Sequence, residues 1–167
     1  MTALDRDALI ALARAFADDP ARWAPHVEHD PGRRTFHLLH DGEDATVWLL
    51  CWSPGHDTGF HDHDGSAAAI AVVEGVVRED RFTVGGVPIG RVLGEGDVLD
   101  VGPHDIHRVR HAGSGPAVTI HAYSPPLRSM GAYEIDPVTG VLRRRVLAER
   151  DELSPAGALA EGRLVNS

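Results

Sequence analysis

Lysine is missing from the sequence altogether, so every cationic side chain other than histidine is an arginine. A Schiff-base mechanism has no amine to start from, and a phosphate-binding loop that depends on lysine is equally excluded. Cysteine is almost as scarce. Cys51, the single example, rules out an intrachain disulfide framework and any thiolate-rich zinc or iron–sulfur site. It lies in an apolar run and reads as a small packing residue rather than a nucleophile. Any metal must therefore rest on histidine and carboxylate. Positive charge is also short, with 16 cationic side chains against 25 acidic ones and a net charge of −9. No nucleic-acid partner is expected, because affinity for a phosphate backbone comes from surplus cations. No apolar run reaches the roughly 18 residues of a membrane-spanning helix, and residues 1–7 lack the basic start and apolar segment of a signal peptide. A cytoplasmic chain with no membrane partner is expected, as a monomer or small homo-oligomer.

What is present suits a single domain over all 167 residues, with 18 glycines and 11 prolines scattered between short apolar runs. That punctuation points to an all-β fold. Residues 1–30 read as an N-terminal helical segment, 34–146 as the β-barrel and 147–167 as a C-terminal tail. Leu4, Ala8, Ala11, Leu12, Ala15 and Phe16 mark one face of a helix over residues 3–17, with Thr2 as its N-cap. Strands follow at 35–39 and at 46–52, the second so continuously apolar that both of its faces should be buried. Residues 67–77 read as one strand closed by the polar run Arg78-Glu79-Asp80. A Gly85-Gly86 turn joins 82–84 to 87–93 as a hairpin. Further strands are expected at 98–101, 107–111 and 117–123, then a terminal hairpin around 133–143. Arg143-Arg144-Arg145 reads as a solvated face with local ion pairs, and Ser154-Pro155 as the start of a short helix.

The stretch around His61-Asp62-His63 carries the chemistry. Residues two apart in a strand share a face, so an extended His-x-His aims two imidazoles into one cavity. A third ligand is available downstream from His104 or His107. His107 is favoured because it opens an alternating strand, whereas His104 sits in a loop. In 117–123, Thr119, His121 and Tyr123 alternate with Val118, Ile120 and Ala122, so the polar trio shares one strand face.

The Gly-x5-His-x-His block followed by Gly96-Asp97, Pro103 and His107 resembles the two signature motifs of the cupin superfamily, which implies a double-stranded β-barrel with metal at its centre. The glutamate usual in the first motif is replaced by Ala67 and Ala68, which leaves three neutral imidazoles and no carboxylate. Together with Cys51-Trp52, Gly55-His56, His107-Arg108-Val109 and Thr119-x-His121-x-Tyr123-Ser124-Pro125-Pro126, the pattern resembles the cysteine dioxygenase family of thiol dioxygenases. The resemblance runs from about Thr46 to Leu127.

It implies that His61, His63 and His107 ligate iron(II), that Tyr123, held by His121 and Thr119, hydrogen-bonds the bound thiol or O2, and that the product is a sulfinate. It also implies His56 as a supporting residue. The partner of the substrate carboxylate is left open between Arg34, closer in chemistry, and His37, closer in position. Ala68 stands where animal members carry the cysteine that cross-links to tyrosine, so no thioether is expected. The same ligands also suit a zinc hydrolase or lyase, or a non-catalytic cupin that binds a small ligand.

Overall fold

The computed structural model describes residues 3–148. Helix α1 (Arg6–Ala17) opens after Asp5, whose carboxylate accepts the Ala8 N–H at 2.8 Å. Asp5 is thus the N-cap, in place of the expected Thr2, which lies outside the described residues. The helix buries Leu9, Ala13 and Phe16, while Ala8, Ala11 and Ala15 face solvent. The embedded stripe is turned from the expected one because Leu9 with Phe16 removes more apolar area from water than the alanines would. Two single-turn 3₁₀ helices, Pro20–Arg22 and Ala24–His26, lead into the strands.

Eleven strands follow among the described residues: β1 (Thr35–Asp41), β2 (Thr46–Trp52), β3 (His61–Asp62), β4 (Ala67–Glu74), β5 (Val76–Arg81), β6 (Ile89–Gly94), β7 (Val98–Val101), β8 (His107–His111), β9 (Ala117–Ser124), β10 (Ser129–Ile135) and β11 (Leu142–Ala148). All pairings between them are antiparallel. One sheet runs β1-β2-β9-β4-β7, and the second runs β11-β10-β3-β8-β5-β6. The all-β barrel expected from the sequence is therefore present as two sheets enclosing a core.

Trp48, Leu50 and Trp52 of β2 join Ile70, Val77, Val109, Tyr123, Leu127 and Met130 in that inner core. Val47, Leu49 and Cys51 point the other way, into a second core with Leu9, Ala13, Phe16 and Trp23. This explains why β2 reads as unbroken hydrophobicity: one face looks into the barrel and the other lies under α1. The same alternation divides β9, sending Val118, Ile120 and Ala122 outward and Thr119, His121 and Tyr123 inward.

The expected strand 67–77 is two strands. At Gly75 the backbone takes φ of 72°, and a Cβ there would sit 2.4 Å from the Pro116 carbonyl oxygen. Only glycine turns the chain at that point from one sheet into the other. Arg78-Glu79-Asp80 is consequently part of β5, with Glu79 and Asp80 buried, and not a polar run that ends a strand. β6 pairs with β5, so the Gly85-Gly86 hairpin is built on 76–81; residues 82–84 lie in its turn. β10 and β11 form the terminal hairpin. The helix expected at Ser154 lies outside the described residues.

Leu9→Ala is expected to lower unfolding free energy by about 2–5 kcal/mol, measured by urea denaturation, because its side chain is 2% exposed between α1 and the sheet. Metal binding should survive in the folded fraction, since Leu9 lies on the far side of β9 from the imidazoles.

Candidate metal centre

β3 and β8 pair with His61 directly opposite His107, and His63 lies one residue past the end of β3. All three imidazoles are buried, at 3%, 1% and 0% exposure for His61, His63 and His107. Their ring centroids stand 4.5–5.2 Å apart, and one nitrogen from each falls within 4.8 Å of the others. His107 Nε2 and His63 Nε2 are 3.3 Å apart. Imidazole nitrogens about 2.1 Å from a common ion would lie about 3.0–3.4 Å from one another, so these residues fit a metal. Burial and the adjoining imidazoles hold His63 well below its ordinary pKa, which keeps it in the neutral form that a metal requires. His104 is exposed in the turn before β8 and is not part of the cluster.

The loop entering β3 is fixed from outside. Asp57 accepts the Arg108 guanidinium through both oxygens, and Thr58 exchanges hydrogen bonds with Val109. This ties the loop that carries His61 to the strand that carries His107. His56 accepts the Ser53 N–H through Nδ1 and closes the turn. Asp62, between the two ligands, faces away from them. It accepts both Nε and Nη2 of Arg144 at 2.7 Å and the Tyr133 hydroxyl at 2.6 Å. Burial pushes the Asp62 carboxyl up, but Arg144, Tyr133 and the Asp64 N–H outweigh it and hold it far below the usual range. Arg144, expected on a solvated face, is therefore a buckle between β11 and β3, while Arg143 and Arg145 do make surface ion pairs.

A chain of hydrogen bonds crosses the opposite wall. Trp52 Nε1 donates to Thr119 Oγ1 at 2.8 Å, Thr119 Oγ1 meets His121 Nε2 at 2.8 Å, and His121 Nδ1 meets the Tyr123 hydroxyl at 3.1 Å. The Tyr123 ring stands edge-on to His63 at 5.0 Å. Burial, with the charge of nearby Arg34, keeps His121 well below its ordinary pKa and hence neutral. Arg34 is 2% exposed with its guanidinium 4.9 Å over the Trp52 ring. Phe36, two residues on, packs on the same inner core. His37 sits on the reverse face of β1, exposed and stacked on His26 at 3.9 Å, so the structure does not bring it to the imidazoles. Physical alternation separates the two candidates: with Arg34 and Phe36 inward, His37 must point out.

Sequence reasoning missed Glu79. Its carboxylate lies 3.3 Å from His107 Nδ1 and is 1% exposed. Burial pushes Glu79 up, but His107, Arg81 and Arg91 together hold it at about 2. The available signal was the spacing Val77-x-Glu79-x-Arg81, which sets an acid on the face that Val77 turns to the core. Trp52 was missed as a donor because it ends an apolar run.

The sequence model for cysteine dioxygenase type I matches residues 1–136. The chain belongs to the cysteine dioxygenase type I family. Human cysteine dioxygenase type 1 is 29% identical over 136 residues, an overlap covering 74% of this chain and 67% of the human protein. Among solved structures, a cupin superfamily protein from Desulfitobacterium hafniense superposes with a TM-score of 0.52 at 17% identity, covering 62% of this chain and 87% of its own. A Klebsiella pneumoniae protein with a double-stranded β-helix domain gives 0.53 at 17% identity, covering 75% and 93%. These likenesses establish the cupin fold, and family membership makes this chain a cupin of the thiol dioxygenase type with a three-histidine site suited to a metal.

Burial raises the Asp57 carboxyl, yet Arg108 and the Gly59 N–H bring it below its ordinary value. Its contribution to stability is therefore complete above the unfolded value near 4 and disappears as pH falls through the lower folded one. Asp57→Asn should cost about 1.5–3 kcal/mol at pH 7 and progressively less in acid, as read by urea unfolding at several pH values. A gap that stays constant with pH would contradict this.

Proposed function

We propose that the chain is a non-haem iron(II) thiol dioxygenase that adds both atoms of O2 to the sulfur of a small carboxylate-bearing thiol, RSH + O2 → RSO2H. Cysteine and 3-mercaptopropionate are the substrate types that fit. The observation that carries this function is the convergence of three buried imidazoles with the Trp52-Thr119-His121-Tyr123 chain on the inner side of the barrel. His61, His63 and His107 are the ligands. Iron(II) held by these three neutral donors, with no carboxylate ligand among the described residues, would supply redox chemistry to an anionic thiolate and O2.

The remaining groups bind, orient and hold protons. Indole Nε1–H can only donate, so Thr119 Oγ1 accepts from Trp52 and keeps its own proton to give. His121 Nε2 is the acceptor at hand, which leaves the one proton of the neutral ring on Nδ1. Nδ1–H then donates to the Tyr123 oxygen, and the phenol so held lies beside His63. Tyr123 so arranged is a directed donor for a sulfur or oxygen atom beside His63. Arg34 is the carboxylate anchor: its inward position, burial and closeness to the chain support it over His37. The apolar lining, Leu127 and Met130 included, excludes water from the reacting sulfur.

Iron-loaded protein offered cysteine, 3-mercaptopropionate and carboxylate-free 2-aminoethanethiol should consume O2 in step with sulfinate for the first two. His107→Ala should abolish stoichiometric metal binding. Tyr123→Phe should keep the metal and lose about 10²-fold or more in kcat. Arg34→Gln should raise KM for the carboxylate thiols far more than it lowers kcat. Iron-loaded protein that oxidises none of these thiols would refute the assignment, and hydrolytic activity with zinc would replace it.

A further inference from the structure

The three imidazoles are not backed alike. His61 Nδ1 lies 3.1 Å from the Gly59 carbonyl oxygen. His63 Nδ1 is buried with no hydrogen-bond partner among the described residues. His107 Nδ1 faces the carboxylate of Glu79 at 3.3 Å, inside the barrel and out of reach of water. Val77 of β5 packs in the inner core, and by strand alternation Glu79 and Arg81 share its face. An acid in that row displaces apolar packing and must be held by partners. Arg81 donates to Glu79 Oε1 from Nε and Nη2, at 3.2 and 2.8 Å. Arg91 donates to Oε2 at 2.7 Å from the half-exposed rim. Arg81 is shared with Asp105 and the Asp100 carbonyl, so Arg91 is the cation that Glu79 holds most nearly to itself.

We propose that Glu79 is a positioning residue for the metal centre: it holds His107 as the Nδ1–H tautomer with Nε2 presented to the ion, and makes His107 the strongest donor of the three. A carboxylate behind an imidazole increases the electron density at its other nitrogen. Among the described residues the site therefore has no carboxylate ligand, with Ala67 and Ala68 where the usual glutamate would fall, yet it keeps a negative charge one ring removed from the ion. How much of that charge reaches His107 is set by Arg91. Loss of the arginine and loss of the acid consequently act in opposite directions.

The inference rests on the metal assignment made above but not on the oxidation of any thiol. The test measures Co(II) and Zn(II) affinity by competition with a chromophoric chelator, together with the Fe(III)/Fe(II) potential of the iron-loaded protein. Glu79→Gln should weaken divalent binding by about 10–100-fold and raise the potential. Arg91→Gln should bind at least as tightly as the parent and lower the potential, and this change should vanish in the Glu79→Gln background. A purely structural role would weaken binding in both variants, so a common loss overturns the proposal, as does parental affinity and potential in Glu79→Gln. Should Glu79→Gln fail to fold, Arg91→Gln is decisive alone, because weaker binding or a raised potential there overturns it. His107→Ala separates the two levels: if it binds metal like the parent, the metal assignment itself has failed.

Discussion

One cross-strand pair, His61 opposite His107, is the contact on which the imidazole cluster depends. β3 is only two residues long, held between β10 and β8. So short a strand cannot secure its own register, and a slip of one residue would turn His61 and Asp62 to opposite faces. Register is imposed from outside the ladder instead. Asp57 on Arg108 fixes the entry, and Asp62 on Arg144 and Tyr133 fixes the middle. Two carboxylates that never face the imidazoles thus decide where the imidazoles point.

The two sheets divide the work. The six-stranded sheet contributes the three imidazoles and the buried Glu79, while the five-stranded sheet contributes Trp52, Thr119, His121, Tyr123 and the neighbouring Arg34. Buried ionic groups of this kind are poor sources of stability, because desolvation offsets much of their attraction. Their presence in the inner layer, beside Ile70, Val109 and Met130, identifies that layer as a site first and a core second. Stability rests on the other layer, where α1 lies on the outer faces of β4 and β9 with alanines, valines and leucines.

Much of this was legible in the linear chain. Unbroken hydrophobicity over 46–52 announced a strand with both faces covered, and alternation over 117–123 placed Thr119, His121 and Tyr123 together. The His-x-His spacing and the start of the 107–111 strand named all three imidazoles that cluster. What escaped notice depended on long-range geometry. Glu79 sat in what read as a polar run because nothing local reveals that Gly75 switches sheets and starts a new buried row. Arg144 looked like one of three equivalent surface cations until the pairing of β10 with β3 brought β11 alongside Asp62. The helix face was misjudged because alanine spacing was weighed equally with leucine, and His37 stayed a candidate because sequence distance cannot tell which side of β1 faces inward.

The indole that begins the hydrogen-bond chain has a consequence for proton movement along it. Trp52 and Thr119 are both fully enclosed at 0% exposure, and an indole nitrogen has no lone pair with which to take up a hydrogen ion. The row of side chains is a cul-de-sac, able to set the phenol's orientation but unable to drain acidity to the surroundings. A hydrogen ion taken up at the Tyr123 end of the row therefore has no outlet at the Trp52 end.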